Sequence, residues 1–308
     1  MSDLAITIAT GLVLGLPVVG GLSAWFGPAR WAGTMSGGSI AIASAAGLTL
    51  ALPALLGTRL DGIGGLIVVD ALGGLIVVIV AAVGLVALLG LPVHLEHARD
   101  DGSLGTRDAA RMWALMGWFI GGLLAVPLLD NLGLIWVAIE WTTVVSALLV
   151  GITRTPAAIE AAWKYLILGS VGVGFALLGT LLAYASSVNL LGEASDALAW
   201  TRLLSTAPGL DPALVRLAFV FALVGYGTKA GLAPFHTWLP DAHSQAPSPV
   251  SALLSGATLT VALYALARFQ QVTAAALGPA LPSGLLVALG LISLALAEPF
   301  IVDQGDLK

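Results

Sequence analysis

The sequence contains no cysteine and little charge. Of its 308 residues, 12 are Lys or Arg and 17 are Asp or Glu. The charged fraction is 9%, whereas a soluble domain carries about a quarter. The lack of cysteine excludes disulfides, thiol nucleophiles and iron–sulfur clusters bound by this chain, and we expect it to hold no cofactor or metal of its own. A net charge of −5 without a basic stripe also argues against binding to nucleic acid.

The hydrophobic fraction is 58%, so too few polar side chains remain to cover a water-facing surface. Long Leu/Ala/Val/Gly runs of about 20 residues predict membrane-spanning helices, since they lack the alternation of barrel strands. We therefore predict an all-α polytopic membrane protein with about nine transmembrane helices. The predicted spans are 4–26, 37–57, 71–93, 110–129, 132–153, 157–187, 212–233, 248–272 and 282–302.

The positive flanks of these spans predict the orientation. The start of the chain lacks the positive region of a cleavable signal peptide, so the first span is expected to stay as an anchor. The Lys and Arg residues in these flanks fall into two groups, one on each side of the membrane. By the positive-inside rule, the larger group faces the cytoplasm and the N-terminus lies outside. That group is Arg30, Arg99, Arg107, Arg111, Arg154 and Lys308, and the opposite group is Arg59, Arg202, Arg216 and Arg268. Residues 94–109 are expected to form a solvated cytoplasmic loop.

Glu140 lies near the centre of the fifth predicted span. A charge at mid-bilayer costs at least about 2.5–3.5 kcal/mol, so an ionisable residue there needs an explanation. Glu140 is either a neutral carboxyl that hydrogen-bonds a neighbouring helix or a switchable proton site in a transport path. Lys164, near the start of the sixth span, either extends to the membrane surface or belongs to the same path. Arg268 is close enough to a helix end to reach the surface, and Asp70 is expected to cap the third helix.

Lys229 gives the strongest single signal. It stands among glycines shortly before Pro234, which cannot donate a backbone hydrogen bond and should break the seventh helix. A lysine at the carboxyl end of a half-helix is stabilised as a cation, and broken helices with ionisable groups are typical of coupling sites in transporters. The following segment carries His236 and His243. These histidines either relay protons or, together with Asp241, hold the irregular segment in place.

Residues 227–256 read GTKAGLAPFHTWLPDAHSQAPSPVSALLSG. This long motif resembles the antiporter-like, proton-translocating membrane subunits of respiratory complex I, Mrp antiporters and group 4 membrane-bound hydrogenases. Its residue sequence is most similar to that of the component F type of hydrogenase-4 and formate hydrogenlyase. The likeness extends loosely over residues 65–308.

The resemblance implies a fold of about fourteen transmembrane helices with two inverted five-helix repeats. It divides the chain into helices 1–3 with a cytoplasmic loop (1–109), a first repeat of helices 4–8 (110–272) and the start of the second repeat (273–308). The sequence would then stop short of the second repeat, so we expect a truncated, split or incomplete member. The eighth helix lacks the lysine or histidine of many relatives, and its polar side chains between 255 and 260 are the hydroxyls of Ser255, Thr258 and Thr260.

The resemblance also implies roles for individual residues. Glu140 on the fifth helix would pair with Lys164 on the sixth, and Lys229 would receive and pass the proton. Movement of the pair, driven by redox changes in a partner, would change the proton affinity of Lys229.

The implied function is that of a non-catalytic, proton-translocating subunit of an oxidoreductase complex in the inner cell membrane. Its partners would be other membrane subunits of the family and a peripheral hydrogenase or dehydrogenase arm. A cation/proton antiporter or ion-driven uptake subunit without a redox partner, with sodium as a further transported ion, is the alternative. A third hypothesis is an inactive structural subunit.

Overall fold

The computed structural model describes residues 1–192 and 196–302 of the chain, and Lys308 lies outside them. Within these residues the protein is a bundle of helices. The α-helices are α1 (Asp3–Phe26), α2 (Gly38–Leu55), α3 (Ala71–Asp100), α4 (Thr106–Ala125), α5 (Leu132–Val150), α6 (Pro156–Leu191), α7 (Trp200–Ser205), α8 (Pro212–Lys229), α9 (Leu239–Gln245), α10 (Ser248–Leu253), α11 (Leu259–Leu277) and α12 (Ala280–Val302). A short antiparallel hairpin of β1 (Leu60–Gly62) and β2 (Ile67–Val69) joins α2 to α3.

The described residues contain nine helical segments that are long and apolar enough to cross a membrane, which confirms the predicted number. The second segment, Ala29–Leu55, ends in α2, and the eighth, Ser248–Leu277, comprises α10, a π-helical turn and α11. Large apolar side chains such as Leu89 and Leu294 are exposed on the outside of the bundle. A surface of this kind is suited to lipid.

The third helix is longer than the sequence predicts. Residues 94–100, expected in a solvated loop, continue α3 as far as Asp100, and the connection to α4 is only residues 101–105. Leu95 and Ala98 are buried, while the polar residues between them can face water. The helix continues because these residues include neither glycine nor proline. It stops next to Gly102, whose φ of +73° suits a turn.

Side-chain caps determine where several helices begin. Asp70 accepts a hydrogen bond from the Gly73 N–H at 2.8 Å, which confirms it as the cap of α3. Thr155 caps α6 and Asp211 caps α8, and both helices have proline as their first residue. Proline is favoured there because its missing N–H would have no helical partner. These caps set the register of α6 and α8, which carry most of the candidate site.

Helices α6 and α8 approach each other closely through glycines. A Cβ at Gly225 would lie 2.3 Å from the Ala176 nitrogen and 2.7 Å from the Gly172 oxygen, and a Cβ at Gly179 would lie 2.8 Å from the Ala218 oxygen. Small residues allow helices to pack tightly in a membrane. This packing brings the end of α8 against the first turns of α6.

Arg268 does not reach the surface, contrary to the expectation from sequence. Its side chain is 0% exposed and donates to both oxygens of Asp70, at 2.6 and 2.8 Å. The guanidinium also lies 3.8 Å from the centre of the Trp200 ring and donates to the Tyr264 hydroxyl at 3.1 Å. The bidentate partner on α3 makes burial favourable, so the arginine joins α3, α7 and α11.

Asp130 lies between α4 and α5 and is almost completely buried. Burial raises the pKa of its carboxyl, and hydrogen bonds from the Thr201 hydroxyl (2.6 Å) and N–H (3.1 Å) offset part of that rise. The folded state therefore binds the proton more tightly than the unfolded state, so the stability contributed by Asp130 is lost as pH rises through its folded pKa.

We expect Asp130→Asn to be at least as stable as the parent at pH 7, because the amide keeps an acceptor for Thr201 without a buried charge. The variant should also lose part of the pH dependence of the thermal unfolding midpoint above the ordinary pKa of an aspartate. A variant that is less stable at pH 7 and has an unchanged pH profile would contradict this assignment.

Candidate proton-transfer site

The seventh spanning segment breaks directly after Lys229, which is the last residue of α8. Gly231 adopts a φ of +72°, its N–H donates to the Thr228 oxygen at 3.2 Å, and the Leu232 N–H donates to the Gly227 oxygen at 2.9 Å. These two bonds form a Schellman cap. The predicted break is therefore confirmed, but Gly231 ends the helix before Pro234 is reached.

Lys229 is buried inside the protein, with 1% of the residue exposed. Its Nζ donates a hydrogen bond to the Tyr165 hydroxyl of α6 at 2.5 Å and lies 4.7 Å from the centre of the Tyr165 ring. The centre of the Trp238 ring, from the non-helical stretch before α9, lies 6.0 Å from Nζ. The Trp238 indole donates to the Thr228 oxygen at 2.8 Å, so the segment after the break is fastened to the end of α8. The Lys229 nitrogen thus lies beside two aromatic rings that pack on each other, with their centres 4.8 Å apart.

Glu140 lies on α5, half-buried. One carboxylate oxygen accepts a hydrogen bond from the Ser170 hydroxyl of α6 at 2.6 Å, while the other is buried without a hydrogen-bond partner among the described residues. Its charge acts through space on both Lys229 and Tyr165. A carboxylate with a free oxygen near a buried ammonium can change the balance between the charged and neutral lysine.

Lys164 is not paired with Glu140. It binds Asp241 of α9 at 3.0 Å and Glu160 of its own helix at 2.8 Å, and its side chain is 49% exposed. It lies six residues before Ser170, about 9 Å along the axis of α6. The expected ion pair between Glu140 and Lys164 is therefore not formed in this conformation, and that prediction is wrong for it. Lys164 instead joins α6 to the segment after the break, at the surface next to Tyr165.

The histidine segment has contacts that hold it in place. The His243 Nδ1 atom lies 2.8 Å from the Ser251 hydroxyl, linking α9 to α10, and Asp241 takes part in the ion pair with Lys164. The Nδ1 atom of His236 is buried without a hydrogen-bond partner among the described residues. These contacts agree with the holding role for Asp241 and His243, and a proton relay through His236 and His243 stays a prediction.

Hydroxyl groups on the eighth spanning segment donate to their own helix. Thr258 donates to the Leu253 oxygen at 3.2 Å, Thr260 to the Gly256 oxygen at 3.0 Å and Ser255 to the Ser251 oxygen at 3.1 Å. Two of these residues lie in the π-helical turn Leu254–Thr258. Such turns are often found at functional sites. The hydroxyl oxygens keep lone pairs that can accept from water.

Tyr165 and Ser146 were missed by the sequence reasoning. Ser146 lies 2.7 Å from the Tyr165 hydroxyl and six residues after Glu140 on α5. The sequence signal that could have identified them is a polar side chain inside each of two consecutive spans, with Tyr165 directly after Lys164. Together with Lys229 they form a hydrogen-bonded chain from α8 through α6 to α5.

Comparisons with a family model and with related proteins point to the same family. Residues 130–308 match the family model described as "NADH:quinone oxidoreductase/Mrp antiporter, TM". A hydrogenase-4 component F homolog from Methylacidiphilum infernorum (isolate V4) is 41% identical over 249 residues, covering 80% of this chain and 52% of that protein.

Two solved structures share the fold. A chain of the membrane-bound sulfane sulfur reductase, an archaeal respiratory membrane complex, matches with a TM-score of 0.73 and 19% identity, covering 94% of this chain and 58% of that one. A chain of respiratory complex I from Thermus thermophilus matches with a TM-score of 0.62 and 25% identity, covering 84% and 52%.

The chain spans about half the length, or less, of the curated relatives it matches. The matched region contains the helix break, Glu140, Lys164 and the segment after Lys229. The chain therefore belongs to the NADH:quinone oxidoreductase/Mrp antiporter family of transmembrane proteins.

Proposed function

We propose that this chain is a proton-translocating subunit of a respiratory-type oxidoreductase complex, and that electron transfer in partner subunits drives the protons. The observation that supports this most is Lys229, a buried cation at a helix break within hydrogen-bonding distance of Tyr165 and under the influence of Glu140. An ionisable group inside a membrane protein is costly to keep and is usually functional.

The partners proposed are further membrane subunits of the same family and a peripheral hydrogenase or dehydrogenase arm. The family membership and the hydrogenase-4 component F homolog support this proposal. Residues 110–272 would form the first antiporter-like repeat, with 1–109 before it and the beginning of a second repeat after it. The chain would lie in the inner cell membrane with its N-terminus outside.

The proposed mechanism uses the charge of Glu140 to control Lys229. While Glu140 is uncompensated, it favours the ammonium form and Lys229 takes up a proton from the side of the histidine segment. If Lys164 leaves Asp241 and approaches Glu140, its positive charge neutralises the carboxylate and Lys229 releases the proton. A redox-driven movement of a partner subunit would supply the work for this exchange.

We expect Glu140→Gln to slow proton translocation by about tenfold, because two unit charges one helix diameter apart interact by roughly 1–2 kcal/mol at an effective dielectric constant of about 20. Glutamine can still accept the hydrogen bond from Ser170, so the fold should be kept. The measurement is the initial rate of proton uptake by inverted membrane vesicles that hold the assembled complex, in sodium-free buffer.

Glu96→Gln is the matched control, since Glu96 is an exposed carboxylate near the end of α3, outside the candidate site. We expect its rate to stay close to that of the parent. Equal rates for Glu140→Gln and the parent would count against control of Lys229 by Glu140.

A further inference from the structure

The hydrogen bonds around Tyr165 have a defined direction. Ser146 Oγ lies 2.5 Å from the Thr142 carbonyl oxygen and 3.1 Å from that of Thr143, and a carbonyl can only accept. The single hydroxyl hydrogen of Ser146 is thus directed to the backbone of α5. Ser146 must then accept from the Tyr165 hydroxyl, 2.7 Å away.

This direction decides what Tyr165 offers to Lys229. A phenol has one hydrogen, and that of Tyr165 is used towards Ser146. Only oxygen lone pairs remain on the side of Lys229, whose Nζ lies 2.5 Å away. An ammonium donates to such an oxygen more strongly than a neutral amine does, because the bond is charge-assisted.

Two aromatic rings border the same site. The Tyr165 and Trp238 rings are both completely buried, their centres are 4.8 Å apart, and both lie within about 6 Å of Nζ. Nζ lies 2.5 Å from the Tyr165 hydroxyl and 4.7 Å from the ring centre, so it lies at the hydroxyl edge of that ring and not over its face. The hydroxyl therefore favours the protonated state, at a site where burial alone opposes charge.

We propose that Tyr165 is a positioning residue for proton transfer at Lys229, holding the ammonium through a hydroxyl that Ser146 keeps turned as an acceptor. This inference rests on the proposed function and adds a group that sets when Lys229 accepts and releases a proton. Breaking the Ser146–Tyr165 bond would let the phenol rotate and donate to the neutral amine. The hydroxyls of Ser146 and Tyr165 thus form a hydrogen-bonded connection between the α5 backbone and Lys229.

Several other titratable or charged groups lie on the elements around Lys229. They are Glu140 on α5, Lys164 on α6, Tyr226 on α8, His236 before α9, Asp241 and His243 on α9, and Tyr264 and Arg268 on α11. Of these, Glu140 is the carboxylate that the proposed mechanism uses to control Lys229. The test must therefore separate Tyr165 from Glu140.

The test measures the protonation of Lys229 directly. The sequence has three lysines, Lys164, Lys229 and Lys308, so selective ¹⁵N labelling of lysine Nζ gives a simple solid-state NMR spectrum of the full chain in lipid bilayers. The Lys229 signal is identified by its loss in Lys229→Met. Its chemical shift, followed against pH, gives the midpoint between the ammonium and amine forms.

We expect Tyr165→Phe to move this midpoint to lower pH by about one unit, a tenfold change, because a hydrogen bond to a charged group is lost while the ring remains. Ser146→Ala should move it in the same direction by less, since it keeps the phenol and only frees its rotation. Tyr226→Phe is the matched control, an equally buried tyrosine that packs on Phe269, and should leave the midpoint unchanged.

An unchanged midpoint in Tyr165→Phe would overturn the inference. So would a Lys229 signal that only broadens at every pH, since a merely structural role would loosen the site without changing its proton affinity. If Tyr165→Phe does not fold, Ser146→Ala decides in the same way. The proposed function is tested separately by transport, so a failure of one can be told from a failure of the other.

Discussion

Replacing Lys229 by methionine is expected to reduce proton translocation through this chain to the background level. Methionine has a similar length and suits a buried site, so the variant should fold while losing the group that takes up the proton. In this structure Lys164 pairs with Asp241 and Glu160 at the surface, so it does not occupy the buried site of Lys229. The measurement is the initial rate of proton uptake by inverted vesicles, normalised to the amount of assembled complex.

Lys164→Met serves as the matched control, since it removes the same group from the half-exposed end of α6. We expect it to slow translocation while assembly persists, because Lys164 would only adjust the charge of Glu140. Comparable loss in both variants would mean that Lys229 has no special role. A normal rate in Lys229→Met would favour an inactive structural subunit.

Replacing Arg268 by methionine is expected to destabilise the folded protein by about 3–5 kcal/mol, the usual effect of removing one partner of a buried ion pair. The change leaves Asp70 without its bidentate partner and removes the contacts with Trp200 and Tyr264. The free energy of unfolding in mixed detergent measures the effect. The double variant Arg268→Met with Asp70→Asn should recover part of the loss, because the unpaired charge is then absent.

Arg59→Met is the control for this prediction. Arg59 and Asp61 form an ion pair with both side chains more than half exposed, and such pairs contribute about 0–1 kcal/mol. Similar losses for Arg59→Met and Arg268→Met would show that the burial of Arg268 has no energetic consequence.

Local sequence patterns predicted the parts of the fold that depend on local forces. Hydropathy located the nine spans, because a segment of about 20 apolar residues has few alternatives in a membrane. The break after Lys229 was predicted from glycine and proline, although Gly231, with its positive φ, ends the helix rather than Pro234. The cap at Asp70 was likewise correct, since an aspartate directly before an apolar helix is a local signal.

Contacts between distant segments were not predictable from the sequence. Arg268 lies 198 residues from Asp70 and Lys164 lies 77 residues from Asp241, so neither partner appears in a local pattern. Tyr165 lies 64 residues from Lys229, and its role depends on the direction of a hydrogen bond to Ser146. The expected pairing of Glu140 with Lys164 came from resemblance. In this conformation surface carboxylates hold the lysine instead.

We propose that Lys229 carries protons whose movement is driven by electron transfer in partner subunits. The most direct test is the number of protons translocated per electron by the assembled complex in vesicles, compared between the parent and Lys229→Met at matched electron flux. If Lys229 carries these protons, the ratio is lower in the variant while electron transfer still takes place. An unchanged ratio would contradict it.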